Sequence, residues 1–366
     1  MATMRTLSLP AITGQAWRQT FAFLFRPFRR GMWWNLLFIA WLSGNLGGGC
    51  NLNMNLPNWG PQQTQTESVT TQTGPFSLTF RDIQKGISQV RQGIGPYRAW
   101  VGAGVLFVIL FSLLFSWLGA RFNFVFVDVL TTGTVAVKEP FRRHRDVAHS
   151  YFWWNLGLSL VMLVIFWGGL GWWTVTLWGA YARVPDLPLL TFFKQQIPFI
   201  AWGIGYATFF SLVATVVWIW SVDFIVPIMY QNRSGVLAAW KAYLAILGRS
   251  PWEAFKYLLW KGLLNLVGGL AATLVAVVLF VGLFLGALVL VLLGVGLAKL
   301  FPPLTIGLIV IGVILLVVVL TVLVIALSLM MVPVPVWLRL FSLHYLQALG
   351  EGYQFFPAAT PAPEPT

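Results

Sequence analysis

The sequence predicts an all-α fold, an integral membrane helical bundle of about six transmembrane helices with interfacial amphipathic helices in a threefold internal repeat. Three observations lead there. Hydrophobic residues fill 58% of the 366 positions and charged residues only 9%, with a mean hydropathy of +0.79. A soluble domain carries about a quarter charged residues. The apolar residues gather into runs of the length a helix needs to cross a bilayer, about 20 residues. A basic, aromatic stretch recurs ahead of such runs, and twice it leads into the same tetrapeptide, WWNL, at residues 33–36 and 153–156.

Residues 32–49 make a marginal first span, because Asn35, Asn45 and four glycines dilute it. It crosses as a short tilted helix or dips in and returns. Residues 50–98 turn polar, with NLNMNLPNWGPQQTQTESVTTQTG reading as an external loop. Within it, residues 77–98 space Phe80, Ile83 and Ile87 three to four apart, the pattern of a short surface helix. Further spans are expected over 100–129, 152–181 and 197–230. Residues 262–298 carry no charge and are read as one long tilted helix, with a bend expected at Gly268-Gly269. The last span follows Pro302-Pro303 and runs to residue 332, where Pro333 and Pro335 interrupt it. Residues 1–349 thus read as a single transmembrane domain, and 350–366 as a disordered Pro/Ala-rich tail.

The net charge of +13 would also suit nucleic acid, but no recognition motif accompanies it, so no nucleic-acid partner is expected. Basic residues beside spans hold their loops in the cytoplasm and attract anionic lipid. Arg18, Arg26, Arg29 and Arg30 precede the first span; Lys138, Arg142, Arg143 and Arg145 lie between the second and third; Arg233, Lys241, Arg249 and Lys256 lie between the fourth and fifth. Both termini are therefore expected in the cytoplasm of a bacterium, with residues 50–98 outside its inner membrane. Arg81, Lys85, Arg91 and Arg98 in that loop lessen the asymmetry. Candidate contacts for anionic lipid are Arg26, Arg29, Arg30, Arg142, Arg143, Arg145, Lys241 and Arg249.

The repeat rests on AWRQTFAFLFRPF, starting at Ala16, and AWKAYLAILGRSPW, starting at Ala239. One inserted residue aligns Pro27 with Pro251. The middle copy, EPFRRHRDVAHSYFWWNL, keeps the basic face and shares WWNL with the first. Each reads as an amphipathic helix on the inner surface, a turn, and a helix entering the bilayer. Indoles suit the headgroup boundary, where one end is wet and the other dry.

Catalytic and metal-binding patterns are sparse. The single cysteine, Cys50, precludes an intrachain disulfide. LSGNLGGGC places Gly47 where a lipoprotein cleavage box wants leucine, and a long basic region precedes it, so the N-terminus is read as part of the fold. His144 and His149 stand five apart, not the four that puts a zinc pair on one helix face; they read as part of a basic surface helix, and no metal or cofactor is expected. His344 has no obvious partner nearby in sequence. Asp128 and Asp223 lie in or beside spans, where a charge is expensive and invites a functional reading. Arg121 precedes Asp128 by two helical turns, and Lys261 joins Arg121, Asp128 and Asp223 as candidate paired charges. The glycine-rich GNLGGG and WGIGYA open no strand–helix unit, which argues against nucleotide binding. Gly282 and Gly286 form a small-xxx-small pair of the kind that marks close helix packing.

Four stretches, LFRPFRRGMWWNLLFIAWL, GARFNFVFVDVLTTGTVAVKEPFRRHR, VDFIVPIMYQNRSGVLAAWKAYLAIL and PVPVWLRLFSLHYLQAL, carry a resemblance. The chain resembles an uncharacterised family of bacterial polytopic membrane proteins, similar in layout to the membrane domain attached to some glycerophosphodiester phosphodiesterases. The resemblance implies about six helices with interfacial helices between them and supplies no catalytic residue; the soluble catalytic domain of those enzymes has no counterpart in these stretches. The expected function is a non-enzymatic multi-pass protein, a structural or accessory component that associates with other membrane protein subunits or anionic lipids of the bilayer. The alternative is a transporter or lipid-handling protein with a polar site around Asp128 and Asp223; a third reading is an enzyme acting on lipid phosphates near Arg142, Arg143 and Arg145.

Overall fold

A computed structural model describes residues 8–26, 30–45, 81–85, 88, 97–300, 305–349 and 352–356. The expectations placed on the polar loop, on most of the 77–98 surface helix, on Pro27 and Arg29, on Pro302-Pro303 and on most of the 350–366 tail lie outside these residues. Among the described residues there are helices and no strand. In chain order they are α1 (Leu9–Phe25), α2 (Arg30–Leu42), α3 (Arg98–Thr132), α4 (Lys138–Arg143), α5 (Arg145–Ala182), α6 (Leu189–Gln195) and α7 (Ile197–Trp220). A π-helical turn (Ser221–Ile225) follows, then α8 (Val226–Asn232), α9 (Val236–Arg249), α10 (Pro251–Leu300), α11 (Thr305–Met331) and α12 (Pro333–Ala348).

Among the described residues, five helices are long and apolar enough to cross a membrane: Ala99–Thr132, Arg145–Ala182, Ile197–Asn232, Pro251–Leu297 and Val310–Ala348. Gly31–Leu42 is a shorter apolar helix, reaching about 20 Å at 1.5 Å per residue. The uncharged run 262–298 lies within one continuous helix, α10, of 50 residues. Prolines mark the boundaries. Pro251 and Pro333 each open a helix, where the missing N–H would be unpaired in any case, and their rings oppose continuation of the helix before them.

The chain divides into two compact units. The first comprises Met1–Gly49, Leu118–Ser150 and Ser221–Thr366. Its core is α12, buried at Val336, Trp337, Leu340, Phe341, Leu343, Tyr345 and Leu346. Against it lies α1, whose buried residues Leu9, Ile12, Ala16, Thr20 and Leu24 recur every three to four positions as one stripe. Trp337 packs edge-on to Trp17 with centroids 5.5 Å apart, Trp260 donates to the Thr13 hydroxyl at 2.9 Å, and Gln19 Oε1 lies 2.5 Å from His344 Nε2. The outer face of α1 exposes Trp17, Phe21 and Phe25. In α9 the buried stripe is Val236, Ala239, Tyr243 and Ile246. The turn closing α2 meets α3 through Asn123, which donates to the Ser43 carbonyl at 3.2 Å.

The second unit comprises Cys50–Trp117 and Tyr151–Trp220. Tyr181 packs on Phe192 with centroids 4.6 Å apart and donates to the Leu187 carbonyl at 3.1 Å. Residues of α5 and α7 interlock through aromatics seated on glycines. Tyr206 lies on Gly169 and donates to the Ile165 carbonyl at 2.7 Å. Reciprocally, Trp173 lies on Gly203 and donates to the Phe199 carbonyl at 2.9 Å.

Candidate functional site

Among the described residues, buried charge singles out two places, both in the first unit. The first is built on the π-helical turn between α7 and α8. Pro227 lies just beyond that turn; lacking an N–H, it cannot bond the carbonyl of residue 223, and its ring crowds that carbonyl. The helix answers by widening, a common response to such an obstruction. Asp223, inside the turn, receives a hydrogen bond from the Tyr257 hydroxyl at 2.8 Å and an ion pair from Lys261 Nζ at 2.9 Å, both on Oδ2. Arg339 Nη1 stands 3.6 Å from Oδ1, and the same guanidinium donates to the Val222 carbonyl. Lys261 also donates to the Leu338 carbonyl at 3.3 Å. Asp223, Lys261 and Arg339 are all buried, so one carboxylate faces two cations.

Aromatic rings wall this cluster. Phe224 stacks on Tyr243 at 4.8 Å and packs against Tyr257 at 4.7 Å, while Tyr257 contacts Tyr345 at 4.6 Å and Phe341 at 5.7 Å. Burial, with Tyr345 and Asp223 nearby, pushes the Tyr243 phenol well above its ordinary range. It remains a neutral wall and adds no charge to the cluster.

The second place is Asp128, near the end of α3. Its Oδ1 accepts from the Tyr230 hydroxyl at 3.0 Å and lies 3.3 Å from His144 Nε2. Tyr230 Oη is also 3.1 Å from the Thr131 hydroxyl. Asp128 and His144 are 3% and 5% exposed, so this pair is held out of water. Tyr230→Phe should lower stability by about 1.5–3 kcal/mol, the worth of a hydrogen bond to a charged group, read by thermal unfolding in detergent.

Of the residues singled out in the sequence, Lys261 meets Asp223, while Asp128 and Asp223 share none of these partners. The Arg121 guanidinium lies over the Phe141 ring, 4.8 Å from its centroid. Arg26, Arg142, Arg143, Arg145, Lys241 and Arg249 are exposed; Arg143 pairs with Glu139. Arg30 opens α2. His149 is exposed, and among the described residues no group of three or more His, Cys, Asp or Glu is placed to hold a metal ion.

Sequence reasoning missed Arg339, Tyr257, Tyr230 and the π-helical turn. Each leaves a trace. Arg339 is the lone charge in VPVPVWLRLFSL, and Pro227 interrupts an otherwise regular span. Chemically, each cluster ties distant helices together through a carboxylate that other side chains hold.

No curated protein and no solved structure matches the chain. A family model described as a family of unknown function, DUF7544, matches residues 11–356, nearly the whole chain and every residue of both clusters. This chain, with its five membrane-length helices and its two buried carboxylate clusters, therefore belongs to the DUF7544 family.

Proposed function

We propose that this chain is a non-enzymatic multi-pass protein of the bacterial inner membrane, a structural or accessory component that associates with other membrane proteins and with anionic lipid. One observation carries the reading: each buried aspartate is held by side chains of the chain itself, Asp223 by Lys261, Arg339 and Tyr257, and Asp128 by Tyr230 and His144. Such groups staple helices together. The exposed basic residues and the exposed aromatics Trp17, Phe21, Trp34, Phe38 and Trp41 suit a lipid boundary and neighbouring subunits.

The contacts of α1 with α12 and with Trp260 near the start of α10 support a common side for these elements. An even number of crossings then follows, with α2 in a sixth span and both termini in the cytoplasm. The aligned residues Ala16 and Ala239 are both fully buried, as are Thr20 and Tyr243 at the next turn, which supports the repeat. The layout is similar to that of the phosphodiesterase-linked membrane domain in architecture alone. A second reading, transport, is favoured by the π-helical turn at Asp223, since such turns are frequent at functional sites.

The test combines purification with labelling. In a Cys50→Ser background, a cysteine at Thr66 should react from outside the cell and one at Ser234 only after permeabilisation; the reverse overturns the topology. Purified in mild detergent, the chain should retain a membrane protein at fixed stoichiometry or anionic lipid. Recovery free of both would overturn the functional reading, and loss of solute transport in a folded Asp223→Asn variant would promote the alternative.

A further inference from the structure

Outside the two clusters, a cavity of about 300 Å³ opens in the first unit, lined by Arg143, His144, Asp146, Ser150, Arg233 and Ser234 among others. It lies where one membrane-length helix begins, at Arg145, and another ends, at Asn232. Its size is at the small end for ligand cavities, about 300–1,000 Å³, and suits a head group better than a large solute.

Three features point to a phosphate. Arg233 and Arg143, the latter also paired with Glu139 through one of its nitrogens, bring two guanidinium groups to one cavity, and the guanidinium fork matches phosphate oxygens. Arg233 has no ion pair among the described residues, and it stands in the left-handed conformation, φ 49°, at the end of α8. Glycine or asparagine ordinarily fills that position, so an arginine there carries a conformational cost, and strain of this kind clusters at ligand sites. Ser150 accepts the Val236 N–H at 3.3 Å, which leaves its own proton to give. His144 is tied to Asp128 and forms part of the wall. Asp146 also lines the cavity and disfavours a ligand that is negative throughout. It suits one whose phosphate adjoins a hydroxyl or an amine.

We propose that this cavity binds a phosphate ester through Arg143, Arg233, Ser150 and Ser234, and that a membrane lipid supplies it as its head group. The proposal rests on the reading above in one respect, the placing of these loops at an anionic membrane surface.

The test uses the full chain, delipidated in detergent and titrated with short-chain phosphatidylglycerol, inorganic phosphate or oleate, an anion without phosphate. Bound lipid is counted by native mass spectrometry. Arg233→Gly relieves the strained backbone, so it should melt no lower than wild type, yet bind phosphatidylglycerol about tenfold more weakly or worse, the loss of one charge-assisted contact. Arg143→Gln should weaken binding similarly without touching that backbone. Lys138→Gln removes the same charge from an exposed position outside the lining and should stay within about twofold of wild type. Oleate should not saturate the site. Equal loss in Arg233→Gly and Lys138→Gln overturns the cavity while leaving general attraction to anionic lipid intact. Wild-type binding in both arginine variants overturns the proposal outright, and inorganic phosphate binding as tightly as the lipid overturns the lipid source.

Discussion

Asp223→Asn should destabilise the protein by about 3–5 kcal/mol, the cost of breaking a buried ion pair by removing one partner. The wild-type cluster sets one carboxylate against Lys261 and Arg339, with side chains at most 8% exposed. Asparagine keeps the shape and can still accept the Tyr257 proton, but it leaves two buried cations with no anion. Lys261→Met should cost less, because Asp223 then still faces Arg339. The diagnostic variant is the double one. Asp223→Asn with Lys261→Met leaves one unpaired cation instead of two, so it should unfold at a higher temperature than Asp223→Asn alone. That non-additivity is the signature of directly coupled groups. A double variant that merely sums the two single losses, measured in the same detergent, would remove the carboxylate from its place at the centre of the cluster.

The elements that depend on run length alone were open to reading from the sequence. The uncharged stretch 262–298 had to be buried in lipid or protein along its length, and it lies in one helix; Pro333 and Pro335 had to interrupt the last apolar run, and α12 begins at Pro333. Which helices face one another was not open in the same way. Helical periodicity assigns residues to a face of their own helix, but it says nothing of the partner. Arg121 and Asp128 share a helix at two-turn spacing, yet the Arg121 guanidinium lies over Phe141 while Asp128 is served by Tyr230 and His144. Arg339, 116 positions from Asp223 in sequence, reaches it because α12 forms the core of its unit. The His344 partner, Gln19, comes from the other end of the chain. The glycines show the same limit most plainly. WGGLGWW offers Gly168, Gly169 and Gly171, and WGIGYA offers Gly203 and Gly205; nothing in either string says that Gly169 and Gly203 are the ones with an aromatic seated on them.

That distinction makes Gly203→Val the second large effect, with an expected loss of about 2–4 kcal/mol from overpacking and from one interhelical hydrogen bond. A side chain on a helix lies over the turn N-terminal to its own Cα, so a residue at 203 would cover the carbonyl of Phe199. Glycine leaves that carbonyl bare. The Trp173 indole occupies the space and donates its N–H there at 2.9 Å; a Cβ at position 203 would overlap the indole ring. Apolar surroundings offer the indole N–H no water in exchange, which is why the contact is specific and not merely close. Tyr206 repeats the arrangement in the opposite sense, over Gly169 and onto the Ile165 carbonyl at 2.7 Å, but its ring is more open to the outside and can swing away, so Gly169→Val should cost less. Trp173→Phe loses the indole proton together with ring atoms seated on Gly203, so it should cost more than the roughly 1 kcal/mol of the hydrogen bond alone. Gly205→Ala, whose Cβ would enter open space in the interior of α7, should lose nothing and gain up to about 1 kcal/mol from helix propensity. Unfolding temperatures that fall equally for Gly203→Val and Gly205→Ala would mean that loss of glycine itself, and not the seat it provides for Trp173, is what the α5–α7 contact feels.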